Sequence, residues 1–247
     1  MASFYDELAP LYHLVYSDWN ASIERQAEQL SSIIAARWPA ASRILDAACG
    51  IGTQTIGLAG RGYSLVGSDL SPGAVRRAVL ETRARGLSVA LSVCDMRAAY
   101  AHHGSGFDVV LCADNSLPHL LTDDDILTAL QQFLACLCVG GGCIITVRDY
   151  VAEERGQNLV KPHGVRLEHG SRYLLFQVWD FEGDCYQLAF YFVEEHLATG
   201  AVRTHVMRSR YYAISTARLC ALMERAGFRN VSRLDGVFYQ PVLVGTK

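Results

Sequence analysis

The chain has 247 residues, a net charge of −3, 51% hydrophobic and 19% charged side chains. That composition supplies a large core and excludes a disordered chain. With no dense Lys/Arg run it also excludes a nucleic-acid face, and no apolar stretch nears the roughly 18 residues of a membrane helix.

Residues 1–41 predict helices. Tyr5, Leu8, Leu11, Tyr12, Val15 and Tyr16 recur at three and four, Ile23–Trp38 continues the pattern, and Pro39 ends it. Strands and helices then alternate. The strands are Arg43–Ala48, Ser64–Ser68, Ser88–Val93, Phe107–Cys112 and Cys143–Arg148; the helices are Thr53–Arg61, Pro72–Arg85 and Asp123–Cys138. Ser71-Pro72 and the Thr122/Asp125 pair mark helix starts, and Gly62, Gly86 and Gly140–Gly142 follow helix ends. Such alternation builds a parallel sheet with right-handed crossovers.

Residues 153–170 are polar and predict a loop. Tyr173–Phe181, Tyr186–Glu194 and Ala201–Ala213 predict three strands of an antiparallel β insertion spanning 171–213. Helix Thr216–Ala226, its Gly227 stop, and strands Phe228–Leu234 and Val237–Gly245 complete a seven-stranded sheet. The expectation is one α/β domain over 1–247, with N-terminal helices and that insertion.

MASFYDELAPLYHL lacks the basic and apolar regions of a signal peptide, so the eight cysteines are expected to be reduced thiols in a cytoplasmic chain. There is no CxxC or HExxH, and Cys136 and Cys138, two apart on a predicted helix, face different ways. No metal site is expected.

The segment ILDAACGIG (44–52) is an apolar strand ending in Asp46, then a glycine turn into a helix. Gly50 and Gly52 let the backbone approach a ligand. Thr55 stands where a dinucleotide loop needs its third glycine, and Asp46 would repel a pyrophosphate but suit an α-ammonium. S-adenosyl-L-methionine carries that group and no phosphate. The second strand ends in Asp69, placed to accept the ribose hydroxyls, although such a residue also caps a following helix. Asp95 after the third strand would accept from the adenine amino group and Met96 would pack on the ring; alone, this is an ordinary turn.

Three strand-end acids in register with one glycine loop resemble the class I S-adenosylmethionine-dependent methyltransferases, with their Rossmann-like fold. The resemblance implies cofactor contacts from Asp46, Ala48, Cys49, Gly50, Gly52, Asp69, Leu70, Asp95, Met96, Cys112, Arg25 and Tyr12. Ala48 stands where most of that family has glycine.

CADNSLPHL (112–120) and TVRDY (146–150) follow the fourth and fifth strands. They are similar to the glycine and glycine/sarcosine N-methyltransferases, which share Asn-Ser-x-x-His-Leu and Arg-Asn-Tyr patterns there. The resemblance implies that Asn115, His119 and Arg148 serve the reaction, with Arg148 clamping a substrate carboxylate through its planar fork. Asp114, Tyr212 and Tyr239 would join Asn115 and Arg148 around the acceptor, with Tyr211 a further candidate. YDELAPLY (5–12) is like an aromatic lid helix, and equally reads as a Tyr stripe packing on the sheet. A lone His119 is more often structural than a base, and the bland role for Arg148 is a pair with Asp114 or Asp149.

Asp114 replaces a glycine and Asp149 an asparagine of the glycine enzymes, and two extra carboxylates favour a cationic or larger polar acceptor. Sugar-amine N-methyltransferases are similar too, in CDMR (94–97) and the long insertion. The expected function is methylation of a small molecule, glycine/sarcosine or a related amino acid first. An amino-sugar or natural-product N- or O-methyltransferase is the alternative, and an idle cofactor-binding module the rival. A homo-oligomer is possible; nucleic acid and membrane partners are not expected.

Overall fold

A computed structural model describes residues 2–247. Helix α1 (Ala2–Leu8) leads through a 3-10 turn at Tyr12–Val15 into α2 (Trp19–Arg37). The Asp18 carboxylate starts α2 by accepting the Ala21 N–H at 2.9 Å, satisfying one of the free N–H groups of its first turn.

The alternating region forms β1 (Arg43–Asp46), α3 (Thr53–Gly60), β2 (Ser64–Asp69), α4 (Pro72–Ala84), β3 (Ala90–Val93), α5 (Ala99–His103), β4 (Phe107–Cys112), α6 (Asp123–Cys136) and β5 (Leu137–Thr146). Ser71 accepts the Ala74 N–H with Pro72 in the first turn of α4, and Thr122 accepts the Asp125 N–H to start α6. Both starts are where the sequence puts them. The face of α6 formed by Ile126, Ala129, Leu130, Phe133 and Cys136 is buried against the sheet. A fully buried phenylalanine there contributes about 1.5–3 kcal/mol, and Phe133→Ala would cost about 3–5.

The glycine run 140–142 does not stop a helix. The chain leaves α6 at Leu137 with extended backbone, and β5 runs through all three glycines. The Trp38 ring explains Gly142, because a Cβ there would lie 1.9 Å from its Cζ2. Cys138 is accordingly on a strand, not a helix, and its thiol reaches Asp108 at 3.5 Å.

Beyond β5 come β6 (Leu159–Glu168), β7 (Ser171–Glu182), β8 (Cys185–His196) and β9 (Val202–Tyr212), an antiparallel meander of four strands, not three. The stretch 153–170 that reads as a polar loop contains β6. Its residues alternate between half-buried and exposed along an edge strand, so the apolar signal is weak. Then α7 (Thr216–Ala226), closed by left-handed Gly227 (φ 108°), leads to β10 (Arg229–Leu234) and β11 (Val242–Thr246).

The larger sheet has the order β10-β11-β5-β4-β1-β2-β3, all parallel except β11, which runs antiparallel to both neighbours. This is the Rossmann-like seven-stranded architecture the sequence predicts. Strand order reverses between β1 and β4, the switch point outside whose carboxyl ends open α/β sheets bind ligands. One buried cluster joins Val110, Cys112 and Phe133 beneath the first sheet to Leu175, Phe192 and Tyr186 of the second. The meander therefore packs over the carboxyl edge. Among the described residues no helix is long and apolar enough to cross a membrane.

Candidate active site

Past Asp46 the chain turns through Gly50 (φ 52°) and Gly52 (φ 96°), both in the left-handed region that disfavours L side chains. A Cβ on Gly50 would lie 3.7 Å from the Tyr12 ring, so that ring covers the loop. The Gly50 N–H donates to one oxygen of Asp69 and the Ser71 N–H to the other, each at 2.9 Å. Asp69 thus fixes the loop while keeping lone pairs for a ligand. Asp46 is fully buried and accepts the Thr55 hydroxyl at 2.7 Å; desolvation pushes its carboxyl up to about 6.

A cavity opens beside this loop. Of the residues read as cofactor contacts, Tyr12, Ala48, Cys49, Gly50, Asp69, Leu70, Asp95 and Met96 line it. Four do not. Asp46 and Gly52 support the loop from beneath, Cys112 is enclosed in the core, and Arg25 lies on the exposed side of α2, bonded to Ser22 at 3.2 Å. Asp95 is already held by Arg97, whose Nη2 lies 2.6 Å from it, and Arg97 continues to Asp125 at 2.7 Å.

A second cavity, of about 250 Å³, adjoins the first; Tyr5, Tyr12, Tyr16 and Asp114 border both. Asp114 (φ 55°) and Asn115 (φ 62°) are consecutive left-handed residues, each at a cost of order 1–3 kcal/mol. Thr146 holds them in place: its Oγ1 accepts the Asp114 N–H at 2.7 Å and its carbonyl accepts the Asn115 N–H at 3.0 Å. The turn aims the Asp114 carboxylate at the junction of the cavities, where Tyr16 donates to it at 3.0 Å and Tyr239 at 2.5 Å. Burial first, and Asp114 second, raises the pKa of both tyrosines, so they stay protonated donors.

Asn115 lines the second cavity, yet both ends of its amide are engaged. Nδ2 donates to Tyr150 at 2.7 Å and Oδ1 accepts the Arg148 N–H at 3.0 Å, which makes it a brace between the ends of β4 and β5. Arg148 lines the same cavity, with its guanidinium 4.8 Å from the Trp179 ring centroid. It pairs with Glu153 at 3.1 Å, and Lys161 shares that carboxylate at 2.9 Å. The partner is therefore neither Asp114 nor Asp149; Asp149 pairs with Arg233 at 2.8 Å, away from both cavities. The Arg148 Nε–H is buried without a partner among the described residues.

His119 is buried, 2.8 Å from the Tyr5 hydroxyl at Nε2, with the Tyr211 ring 4.0 Å away. Burial pushes it down to about 3. It stays neutral at physiological pH and acts as a hydrogen-bonding wall. Tyr212 points away and donates to Asp123 at 3.0 Å. Its neighbour Tyr211 faces the cavity instead, since adjacent residues on a strand face opposite sides. Sequence reasoning missed His163, Gln177 and Tyr186, which also line the acceptor cavity. Gln177 and Tyr186 lie on inward positions of β7 and β8 and carried no motif; His163 was lost with β6.

Residues 44–141, about two fifths of the chain, match the family described as "Methyltransferase domain". Over 133 residues it is 32% identical to a glycine/sarcosine N-methyltransferase of Parasynechococcus marenigrum (strain WH8102), covering 54% of this chain and 46% of that one. It is 29% identical over 144 residues to a dTDP-3-amino-3,6-dideoxy-alpha-D-glucopyranose N,N-dimethyltransferase of Streptomyces fradiae, covering 58% and 54%. The matched segment thus spans about half the length of these curated relatives. The S-adenosylmethionine-bound structure of CalS10, an amino pentose methyltransferase from Micromonospora echinaspora, superposes with a TM-score of 0.78 at 22% identity, over 91% of each chain.

Proposed function

We propose that this chain transfers the methyl group of S-adenosyl-L-methionine to an amine on a small polar molecule of sugar size. The observation that carries the reading is Asp114, a carboxylate whose side-chain partners are two neutral tyrosine hydroxyls, at the junction of a donor and an acceptor cavity. The donor side fits the cofactor. Gly50 leaves room for close approach, Asp69 keeps lone pairs for the ribose hydroxyls, and Leu70 and Met96 offer apolar surface to the adenine. When bound, the cofactor supplies an electrophilic methyl group on a sulfonium.

The protein's own residues then have simple tasks. Tyr5, Tyr12 and Tyr16 close the space between the cavities and exclude water, and Asp114 attracts and orients the amine toward the donor side. A neutral His119 and protonated tyrosines give no strong base, so the amine loses its proton to solvent before it reacts.

An amino-sugar acceptor is favoured over glycine by three observations. A cavity of about 250 Å³ exceeds what glycine fills. Glu153 already occupies one Nη of Arg148, the residue a substrate carboxylate would need. The fold of the amino pentose methyltransferase superposes over 91% of this chain. The unpartnered Nε–H of Arg148 favours the second reading, an amino-acid acceptor.

Pure protein incubated with methyl-labelled cofactor and a panel of amino-sugars, glycine, sarcosine and other amino acids decides between them. Label on an amino-sugar nitrogen is expected; label on amino acids alone sinks the first reading. Asp114→Asn keeps the turn, since asparagine tolerates this backbone, and removes the charge. It should raise KM for a cationic acceptor by about tenfold or more with cofactor affinity unchanged. An unaltered KM would remove Asp114 from the argument.

A further inference from the structure

Cys94, His102 and His103 meet beside the outer strands of the large sheet. Cys94 follows β3, and the two histidines end α5. The Cys94 sulfur and one ring nitrogen of each histidine all lie within 4.8 Å of one another. Both rings are held from behind: the Ser92 hydroxyl lies 2.9 Å from His102 Nε2 and the Ser68 hydroxyl 2.9 Å from His103 Nε2. Ser68 and Ser92 are register partners on β2 and β3, so neighbouring strands brace neighbouring rings.

In the tautomer that donates from Nε2 to the hydroxyl, each imidazole presents the lone pair of Nδ1. A second-sphere hydrogen bond of this kind fixes the tautomer and orientation of metal-binding histidines. One thiol and two imidazoles suit a borderline-soft cation and not Mg²⁺ or Ca²⁺, which take oxygen.

We propose that Cys94, His102 and His103 bind a Zn²⁺ ion, with solvent as the fourth ligand, at the edge of the donor cavity. On binding, the Cys94 thiol releases its proton to solvent and a Zn–S bond forms, while both imidazoles donate lone pairs without losing charge. Bonds of about 2.3 Å to sulfur and 2.0–2.1 Å to nitrogen require the cluster to contract by about 1 Å. The exposed His102 side chain is free to make that movement. Neither of the motifs whose absence argues against metal in the sequence is needed for this site. Cys94 also lines the donor cavity, so the ion would adjoin the cofactor without contributing to its chemistry.

Titration of the full chain with Co²⁺, followed by absorption, tests the proposal. A thiolate-to-cobalt charge-transfer band saturating at one equivalent, and bleached by Zn²⁺, is expected. Cys94→Ser should abolish the band, while Cys138→Ser and Cys220→Ser leave it intact. Ser68→Ala and Ser92→Ala should weaken Co²⁺ binding about 10–100-fold. His102→Ala alters an exposed side chain, so it folds normally and should weaken binding by at least tenfold. No thiolate band in the wild type, a band persisting in Cys94→Ser, or unchanged affinity in His102→Ala would each overturn the site.

Discussion

The donor and acceptor cavities are built by opposite strategies. The donor cavity is walled largely by short turns that leave β1, β2 and β3, contributing the consecutive runs 47–51, 69–71 and 94–97. The acceptor cavity gathers Arg148, His163, Gln177, Tyr211 and Tyr239 from separate elements, and Tyr186, Leu188 and Phe190 from alternate positions of β8. A turn writes its chemistry as a contiguous string, whereas a sheet face distributes it over alternate positions of many strands. The donor side therefore depends on backbone geometry held by a few carboxylates, and the acceptor side on interchangeable side chains.

The largest expected effect tests the donor strategy at Asp46. Burial raises its folded pKa to about 6, above the unfolded value near 4. The folded state thus holds a proton that the unfolded chain has released between these values. The stability this group contributes is full below about pH 4 and is lost as pH rises through about 6. A two-unit shift corresponds to about 3 kcal/mol. Urea unfolding from pH 4 to 7 should show this decline in wild type and its absence in Asp46→Asn; parallel curves would mean that the buried charge costs nothing.

Asp69→Ala comes next. It removes the acceptor for two backbone N–H groups and any ribose contact, so calorimetry should show cofactor binding weakened by about 1.5–3 kcal/mol. Acceptor KM measured at saturating cofactor should hold steady. A variant that changed the acceptor constant instead would erase the distinction between the two cavities.

How much of this was legible follows from the same contrast. Helix starts at Ser71 and Thr122, the glycine loop and the Asp69 position were readable because capping and left-handed turns impose residue types locally. Arg25 and Cys112 were placed with the cofactor by family likeness alone, and the structure leaves them outside the cavity lining. Strand β6 was hidden because an edge strand exposes half its residues to water. Tyr212 was preferred to Tyr211 because nothing local tells which of two adjacent tyrosines faces inward; the register with β8 decides it.

That pair also gives the smallest prediction. Tyr212→Phe deletes the bond to Asp123 and should cost about 0.5–1.5 kcal/mol in thermal or urea unfolding, leaving acceptor KM untouched. Tyr211→Phe should shift KM, because its ring and hydroxyl border the acceptor. Reversed outcomes would mean that the strand presents its other face to the substrate.

The tyrosine wall shared by the two cavities has a consequence for how the chain folds. Tyr5 bonds to His119 and to Tyr211, 114 and 206 positions away; the Tyr16 carbonyl accepts from Arg166, 150 positions away, and Asp114 accepts from Tyr239, 125 positions away. Closing loops of that length carries a large entropy cost before any contact rewards it. Strands β1, β2 and β3, by contrast, pair over shorter separations, such as Ile44 with Leu65 and Val66 with Ala90. The strand pairs around the donor loop are therefore expected to form first, and the wall after residues near 239 have joined. What forms late over long range also opens at low cost, so the amides of residues 5–16 should exchange with solvent well before those of β1 and β4.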